Sequence, residues 1–594
     1  MTRPSWIDAF RQPTLGALLG LAIACLAVGC RPKESPPDFI RPADASKGAR
    51  AGSSDITSAA PSKSNIAVEA KPQALAKAIF RNGSEQGRLF LPETTGGGIA
   101  AFDFDRNGQT DVLVAGGGYP DVEAKQMRGY PGTLCRGMGQ LEFDDVSLAA
   151  HLDLSSIYNA GCAIGDYDCD GFSDVLLTGY SGLQLLRNQG DGTFEAIDCP
   201  RVGLTDSQWG ASAAFFDANN DGWLDLFVPH YANWSFDFNP ICSAPPTPGS
   251  TEVIADYCGP REFRGLTDVL YRNLGQGAFE DVSASTGIDD TLRGLGVVAS
   301  DLDLDGDVDL YVANDVDPNL LYRNDGDFKF VEVGRRSGVA CNDAGIPEGS
   351  MGIAVGDYNI DGKLDLWVTN YQNELNALYR NNGKLNFAYA SNFAKITNTD
   401  ERSVGWGTAF VDMDLDGDED LLVVNGHIEM RSVGSTFEQR PQILENLQGK
   451  SFQLVPRNGG YLSEPQSSRG LAVADFNGDG LMDYAVSRLN TDAALVVNAS
   501  APQGRWLKIR LVGTASNRDA IGATVQLQSG QRTWVRQMVG GGSYASSHDA
   551  ILHFGVPTES IADNASLSID WPSGQKQRVP IADWNTEVLV IEGQ

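Results

Sequence analysis

Gly294-Leu295-Gly296-Val297-Val298-Ala299-Ser300-Asp301-Leu302-Asp303-Leu304-Asp305-Gly306-Asp307-Val308-Asp309-Leu310-Tyr311-Val312 consists of two apolar runs joined by a loop with an acidic residue at every second place. Short apolar runs on either side of an Asp/Gly turn predict two paired strands. Within the loop, side chains at positions one, three and five converge on one point. Gly306 at position six permits the sharp turn, and the carbonyl of Asp307 at position seven can turn inward. Asp309 at position nine closes the shell from the start of the next strand. Dense oxygen-only coordination of this kind is calcium chemistry. There is no Glu at position twelve and no flanking helical period, so the loop belongs to a β-hairpin.

The pattern Asp-x-[Asp/Asn]-x-[Asp/Asn]-Gly-x-x-Asp occurs seven times. Its proposed side-chain ligands are Asp103, Asp105, Asn107 and Asp111; Asp166, Asp168, Asp170 and Asp174; and Asp217, Asn219, Asp221 and Asp225. The later copies give Asp301, Asp303, Asp305 and Asp309; Asp357, Asn359, Asp361 and Asp365; Asp412, Asp414, Asp416 and Asp420; and Asp475, Asn477, Asp479 and Asp483. Asn107 makes the first copy the weakest of the set. The loops imply up to seven Ca2+ ions, because so many carboxylates at such spacing repel one another unless cations screen them.

Around each loop the surroundings repeat as well. Gly- or Ala-bearing apolar runs precede the loops, and a further strand with the pattern Leu-Tyr-Arg-Asn recurs at Leu270–Asn273, Leu321–Asn324 and Leu378–Asn381. Small residues in the first strand suit an inner position where strands converge. The period fits one four-stranded blade per loop. The expected fold is therefore all-β: a seven-bladed β-propeller over residues 74–503, followed by a small β-sandwich-like domain over 504–594. Either Ala78-Ile79-Phe80 with Leu89-Phe90-Leu91, or Ala494 to Asn498, supplies the strand that completes the ring.

Before residue 74 the reading changes. Arg3 and Arg11 precede the apolar run Leu15 to Gly29, which is shorter than the roughly 20 residues needed to span a bilayer. Ala27-Val28-Gly29-Cys30 resembles the bacterial lipoprotein processing box, with Leu26 one place earlier than usual; lipidation then falls on Cys30 and anchors the chain to a membrane. An ordinary secretion signal and an uncleaved anchor are the alternatives. Residues 31–73 read as a flexible tether. Export permits disulfides, and Cys242 with Cys258, flanking an insertion, are the expected pair. Cys135, Cys162, Cys169 and Cys199 have spacings that allow two more bridges, which leaves Cys341 as the odd thiol.

The 594-residue chain carries 77 acidic and 45 basic residues, a formal charge of −32. That balance argues against nucleic acid as a partner. The loops resemble FG-GAP/VCBS propeller repeats, found also in integrin α-chain heads. The C-terminal blocks Asn517–Ala523, Gly540-Gly541-Gly542-Ser543-Tyr544, His553-Phe554-Gly555 and Trp571-Pro572-Ser573-Gly574 resemble an ASPIC/UnbV domain, as in bacterial relatives of the cartilage acidic protein 1 family. That resemblance implies an extracytoplasmic, calcium-binding propeller with a β-rich appendage, without a settled activity.

Segments after the second strands are expected on the face opposite the calcium loops. There His230, Tyr231, Trp234, Asn370, Tyr371 and His427 are candidates for a surface recognising an unknown envelope or extracellular protein or glycan. The alternative is a propeller enzyme acting on polysaccharide or a small molecule. No nucleophile relay or acid/base pair is evident beyond the loop carboxylates.

Overall fold

The computed structural model describes residues 64–83, 89–243, 255–396, 402–429 and 434–594. The signal segment, Cys30 and most of the expected tether lie outside them.

The Asp301 loop joins Gly294–Ser300 to Asp309–Asn314, and the antiparallel order continues through Leu320–Asn324 and Phe330–Glu332. The same four-strand antiparallel order recurs around every loop, with the position-nine Asp opening the second strand each time. The first and second strands of these sheets are buried on both faces, so they are mostly apolar rather than alternating, while the fourth strands are largely exposed. Tyr311 and Leu321 of one sheet, for example, share a core with Leu366 and Tyr379 of the next. The core thus lies between stacked sheets.

First strands lie side by side. Ile99–Phe102, Tyr158–Gly165, Ala214–Phe216, Gly294–Ser300, Ile353–Gly356, Gly405–Val411 and Ser468–Ala474 each pack on the next, and Ser468–Ala474 packs on Ile99–Phe102. This crowding explains the glycines in these strands. A Cβ on Gly296 would lie 2.1 Å from the Met351 carbonyl oxygen, and one on Gly352 would lie 2.0 Å from that of Trp406. The fold is an all-β propeller architecture.

In the Asp475 sheet, Ala494–Asn498 is the third strand, and the fourth is Val68–Ala70, paired antiparallel from the other end of the chain. Neither expected arrangement included this strand, which lies within the segment read as tether. Ile79 and Phe80 make only isolated bridges, to Asp492 and Leu489.

The C-terminal segment forms two sheets. One has the order Leu552–Pro557, Gly504–Val512, Thr586–Ile591, and the other Arg532–Gln537, Thr524–Ser529, Ser566–Asp570, Lys576–Pro580. Leu507, Ile509, Val525, Trp534, Phe554 and Leu567 fill the space between them, as in a sandwich.

One part of this module leaves the sandwich. Residues 540–547 run between the first strands of the propeller sheets. Gly540–Gly541 pairs with Val298–Ala299, and Ser543 exchanges both backbone hydrogen bonds with Ile353 at 2.7 and 2.9 Å. The Ser543 hydroxyl accepts from Thr408 N and donates to Leu471 O. Ala545 O accepts from Cys162 N, and Ser547 pairs with Ile99 and Ala101. The Gly540 Cα sits against Phe215, where a Cβ would lie 2.0 Å from the carbonyl oxygen. First strands from all seven loop-bearing sheets therefore touch this plug.

Candidate metal loops and the interdomain seat

Each loop is first organised by its own backbone. In all seven, the position-one carboxylate accepts the N–H of the position-six Gly, at 2.8 to 2.9 Å. The position-five side chain accepts the N–H of position seven, closing an Asx turn. These bonds fix where the remaining oxygens point.

In four loops, carboxylate oxygens of positions one, three and nine lie within 4.8 Å of one another. They are Asp103, Asp105 and Asp111; Asp166, Asp168 and Asp174; Asp301, Asp303 and Asp309; and Asp412, Asp414 and Asp420. Position five, expected as a ligand, is not part of these groups. The Asp217, Asp357 and Asp475 loops have Asn at position three, so only two of those three positions carry a carboxylate. The first copy, expected to be weakest, is as well assembled as the others, although Arg136 pairs with Asp105 at 2.6 Å.

The oxygens left over bear on a metal. Asp105 Oδ1, Asp166 Oδ1, Asn219 Oδ1, Asp303 Oδ1 and Asp365 Oδ2 are buried without a hydrogen-bond partner. Such oxygens are costly unless a cation or water satisfies them. Electrostatics point the same way. Burial pushes Asp111 and Asp483 up to about 8 and Asp174 and Asp365 up to about 9. Burial likewise raises Asp166 and Asp301 to about 7, with nearby carboxylates adding to it. The donor set is hard, all-oxygen and anionic, which fits Ca2+.

Position nine has a second task. Asp309 Oδ2 accepts from Leu302 N and Oδ1 accepts from Asn324 N. Asn324 in turn donates from Nδ2 to Ala218 O in the preceding sheet's loop at 2.9 Å. Asn188, Asn273, Asn381, Asn446 and Asn498 reach Phe104 O, Tyr167 O, Leu302 O, Tyr358 O and Met413 O in the same way. This clasp gives the Asn of Leu-Tyr-Arg-Asn its role. The Asp103 sheet has Gly137 at that place and no amide to offer.

The C-terminal module sits on the loop face. Asp519 accepts from Asp166 N, Gln537 bonds Asp301 through both its backbone groups, and Gln503 donates to Asp414 at 2.6 Å. Trp534 donates to Gly417 O, and Lys508 lies 3.0 Å from Asp475. Arg536 pairs with Glu419 at 2.9 Å where both are under 10% exposed. A cavity of about 720 Å³ remains between module and propeller, lined by both carboxylates and arginines. Nothing in the spacing of Lys508, Gln537 or Arg536 marked them, since alternating strands place polar residues outward by default.

The expected recognition surface is not open. His230, Tyr231, Trp234, Asn370 and His427 are at most 2% exposed, and Tyr371 is half-buried. His230 pairs with the buried Asp206 at 2.8 Å, and Tyr231 donates to Asp315 at 2.6 Å. Trp234 donates to Asn239, Asn370 donates to Glu348, and Tyr371 packs its ring against His427. Burial holds His427 neutral, down to about 4. These groups form a closed roof because their aromatic surface is worth more inside than the polar tips are outside. Beneath it the buried Arg469 donates to Thr94 O and His427 O and lies over Trp406.

Cys242 and Cys258 form the expected disulfide, pinning the insertion. Cys135, Cys162, Cys169, Cys199 and Cys341 are free, so the further bridges are absent. Cys135 and Cys162 sit in strands of different sheets, Cys169 in the Asp166 loop and Cys199 in the short helix Cys199–Val202, so the four are not brought together for pairing. Among the described residues no helix is long and apolar enough to cross a membrane.

Comparison with known proteins follows this architecture. The family described as ASPIC and UnbV matches residues 513–594, and an FG-GAP-like repeat matches residues 166–228, 301–368 and 357–423. Cartilage acidic protein 1 of Xenopus tropicalis is 25% identical, over 80% of this chain and 70% of its own. The human protein is 24% identical, over 80% and 69%. Among solved structures, an Agrocybe aegerita lectin covers 62% of this chain and 82% of its own at 15% identity and a TM-score of 0.34. The rhamnogalacturonan lyase YesW covers 69% and 72% at 12% identity and a TM-score of 0.32. Scores this low carry no argument about ligand or activity.

Proposed function

From a chain that joins FG-GAP repeats to a C-terminal ASPIC/UnbV domain and is homologous to cartilage acidic protein 1, we propose a calcium-braced scaffold that works outside the cytoplasm by binding. In this reading the sheets form a closed ring of seven blades, calcium occupies the Asp-rich loops, and Cys30 carries the lipid that holds the body to an envelope membrane. Its partner is an envelope or extracellular protein or glycan.

The observation that carries the calcium part is the set of buried, unpartnered oxygens at ligand positions of five loops, three of them at position three, one at position one and one at position nine. An Asp/Gly turn that merely faced solvent would leave its oxygens to water. The disulfide supports an oxidising compartment. The plug supports a bracing role, because one segment joins first strands of every loop-bearing sheet while its own module rests on the loops. Calcium in the loops would neutralise the face to which the module docks, and docking would bury the ions.

The test is calcium titration by calorimetry on the mature chain, alongside thermal melting with and without chelator. Saturable binding and a calcium-dependent rise in melting temperature are expected. No binding at millimolar calcium, with melting indifferent to chelation, would remove the proposal.

A further inference from the structure

Between the Asp301 and Asp357 sheets lies a cleft of about 440 Å³, lined by Asp303, Arg323, Arg336 and Lys384 among others. Three cationic side chains against one acidic one is an unusual balance on a chain of net charge −32. Arg323 is partly neutralised, since it grips Asp325 through two hydrogen bonds. Arg336 and Lys384 are exposed on the rim.

The fold supplies its own control. Arg336 stands on the short helix Gly334–Ser337, and the preceding sheet carries the equivalent helix Ser283–Thr286, with Ser285 at that place. Lys384 stands in the turn before Phe387, where the preceding sheet has Asp327 before Phe330. The turns share one backbone: Asp327 and Phe328 have φ of 49° and 60°, and Lys384 and Leu385 have 56° and 50°. The same scaffold therefore presents a neutral and an acidic residue at one junction and two cations at the next. Packing does not require the cations.

Asp303 links the cleft to its loop. Its Oδ1 is buried without a partner, as a metal ligand would be. A divalent ion in that loop would offset the charge of Asp303, leaving Arg336 and Lys384 to set the sign of the cleft wall. Val333 and Leu385 add an apolar floor, and Ser337 and Asn386 add hydroxyl and amide groups.

We propose that this cleft binds an acidic saccharide, its carboxylates held by Arg336 and Lys384, its ring over Val333 and Leu385. The volume lies at the small end of the roughly 300–1,000 Å³ of small-molecule sites, which suits a few sugar rings better than the extended groove a peptide strand or helix needs. Hydroxyls of the sugar match Ser337 and Asn386. This assignment rests on the binding-scaffold reading and gives it a ligand class.

The experiment is calorimetric titration of the mature chain with trimannuronate in calcium buffer, with neutral mannotriose and tetraglutamate as comparison probes. Saturable binding of trimannuronate alone is expected. The double variant R336S/K384D, built from the neighbouring junction's own residues, should weaken it by about tenfold or more, with calcium stoichiometry and melting temperature unchanged. Absence of saturable binding, equal binding of mannotriose, tighter binding of tetraglutamate, or an unaffected double variant would each overturn the assignment. Calcium titration without sugar separates the two claims. Intact calcium binding without sugar binding overturns only the cleft. Failure of calcium binding overturns the brace, and sugar binding that still depends on Arg336 and Lys384 in chelator then upholds the cleft.

Discussion

Asn324 holds two sheets together with one side chain: its amide donates to Ala218 O while its backbone N–H donates to Asp309. Replacing it with Ala leaves a buried carbonyl without its donor, which costs about 1–3 kcal/mol. Chemical denaturation of Asn324→Ala should show that loss, and an unchanged midpoint would contradict the clasp. The same position was visible in the sequence only as part of a strand motif, because a strand-end Asn carries no mark of the neighbour it will reach. His230 teaches the opposite lesson. As a loop residue beside Tyr231 and Trp234 it read as a contact surface, yet its imidazole is buried against Asp206. Burial works against the charged ring, but the Asp206 carboxylate and the Thr267 carbonyl outweigh it and raise the His230 pKa above 6.5. A raised value means the folded state holds the proton more tightly. Its contribution to stability is therefore complete below the unfolded value of about 6.5 and is lost as pH rises through the folded one. The stability gap between the native chain and Asp206→Asn should be wider at about pH 6 than at about pH 8. A gap independent of pH would show that His230 is not charged in the fold.

At the scale of elements, the Asp/Gly loop was the most legible part of the chain, since its spacing is local and strand–loop–strand follows from a few neighbouring residues. The plug was not. In the sequence Gly540-Gly541-Gly542 stood out as part of a block resembling an ASPIC/UnbV domain, and the glycines of a turn and of a threading segment look alike. What the glycines serve is close approach: Gly541 and Gly542 take φ of 70° and 96°, and Gly540 lies against Phe215 O. Gly540→Ala should force this segment off its seat. We expect a lower melting temperature and faster proteolysis between module and propeller, while unchanged melting and proteolysis would mean the plug tolerates displacement. The final strand of the Asp475 sheet, Val68–Ala70, was equally hidden. Three residues show no periodicity, and their partner lies more than four hundred residues away.

For the whole molecule, the proposed calcium loops and the docking of the C-terminal module belong to one system. Asp412, Asp414 and Asp420 of the Asp412 loop are almost wholly buried beneath the C-terminal module, which reaches the loops through Gln503, Lys508, Trp534 and Gln537. Ions bound only by the folded form stabilise it by linkage, roughly 2.7 kcal/mol for each site at a hundredfold excess over its Kd. Two-stage melting should therefore appear on chelation, the module separating before the propeller, and scanning calorimetry can resolve it. A single transition unchanged by chelator would place the ions outside the interface. The general plan was readable from composition, repeat and charge. The interdomain contacts were not, because they depend on which outward faces meet after both modules have folded.

The most direct measurement is native mass spectrometry of the mature chain titrated with calcium, read together with its melting temperature. The account predicts discrete addition of at least four ions, one for each three-carboxylate loop, with melting rising as they bind. A mass that stays at that of the metal-free chain, with melting indifferent to calcium, would contradict it.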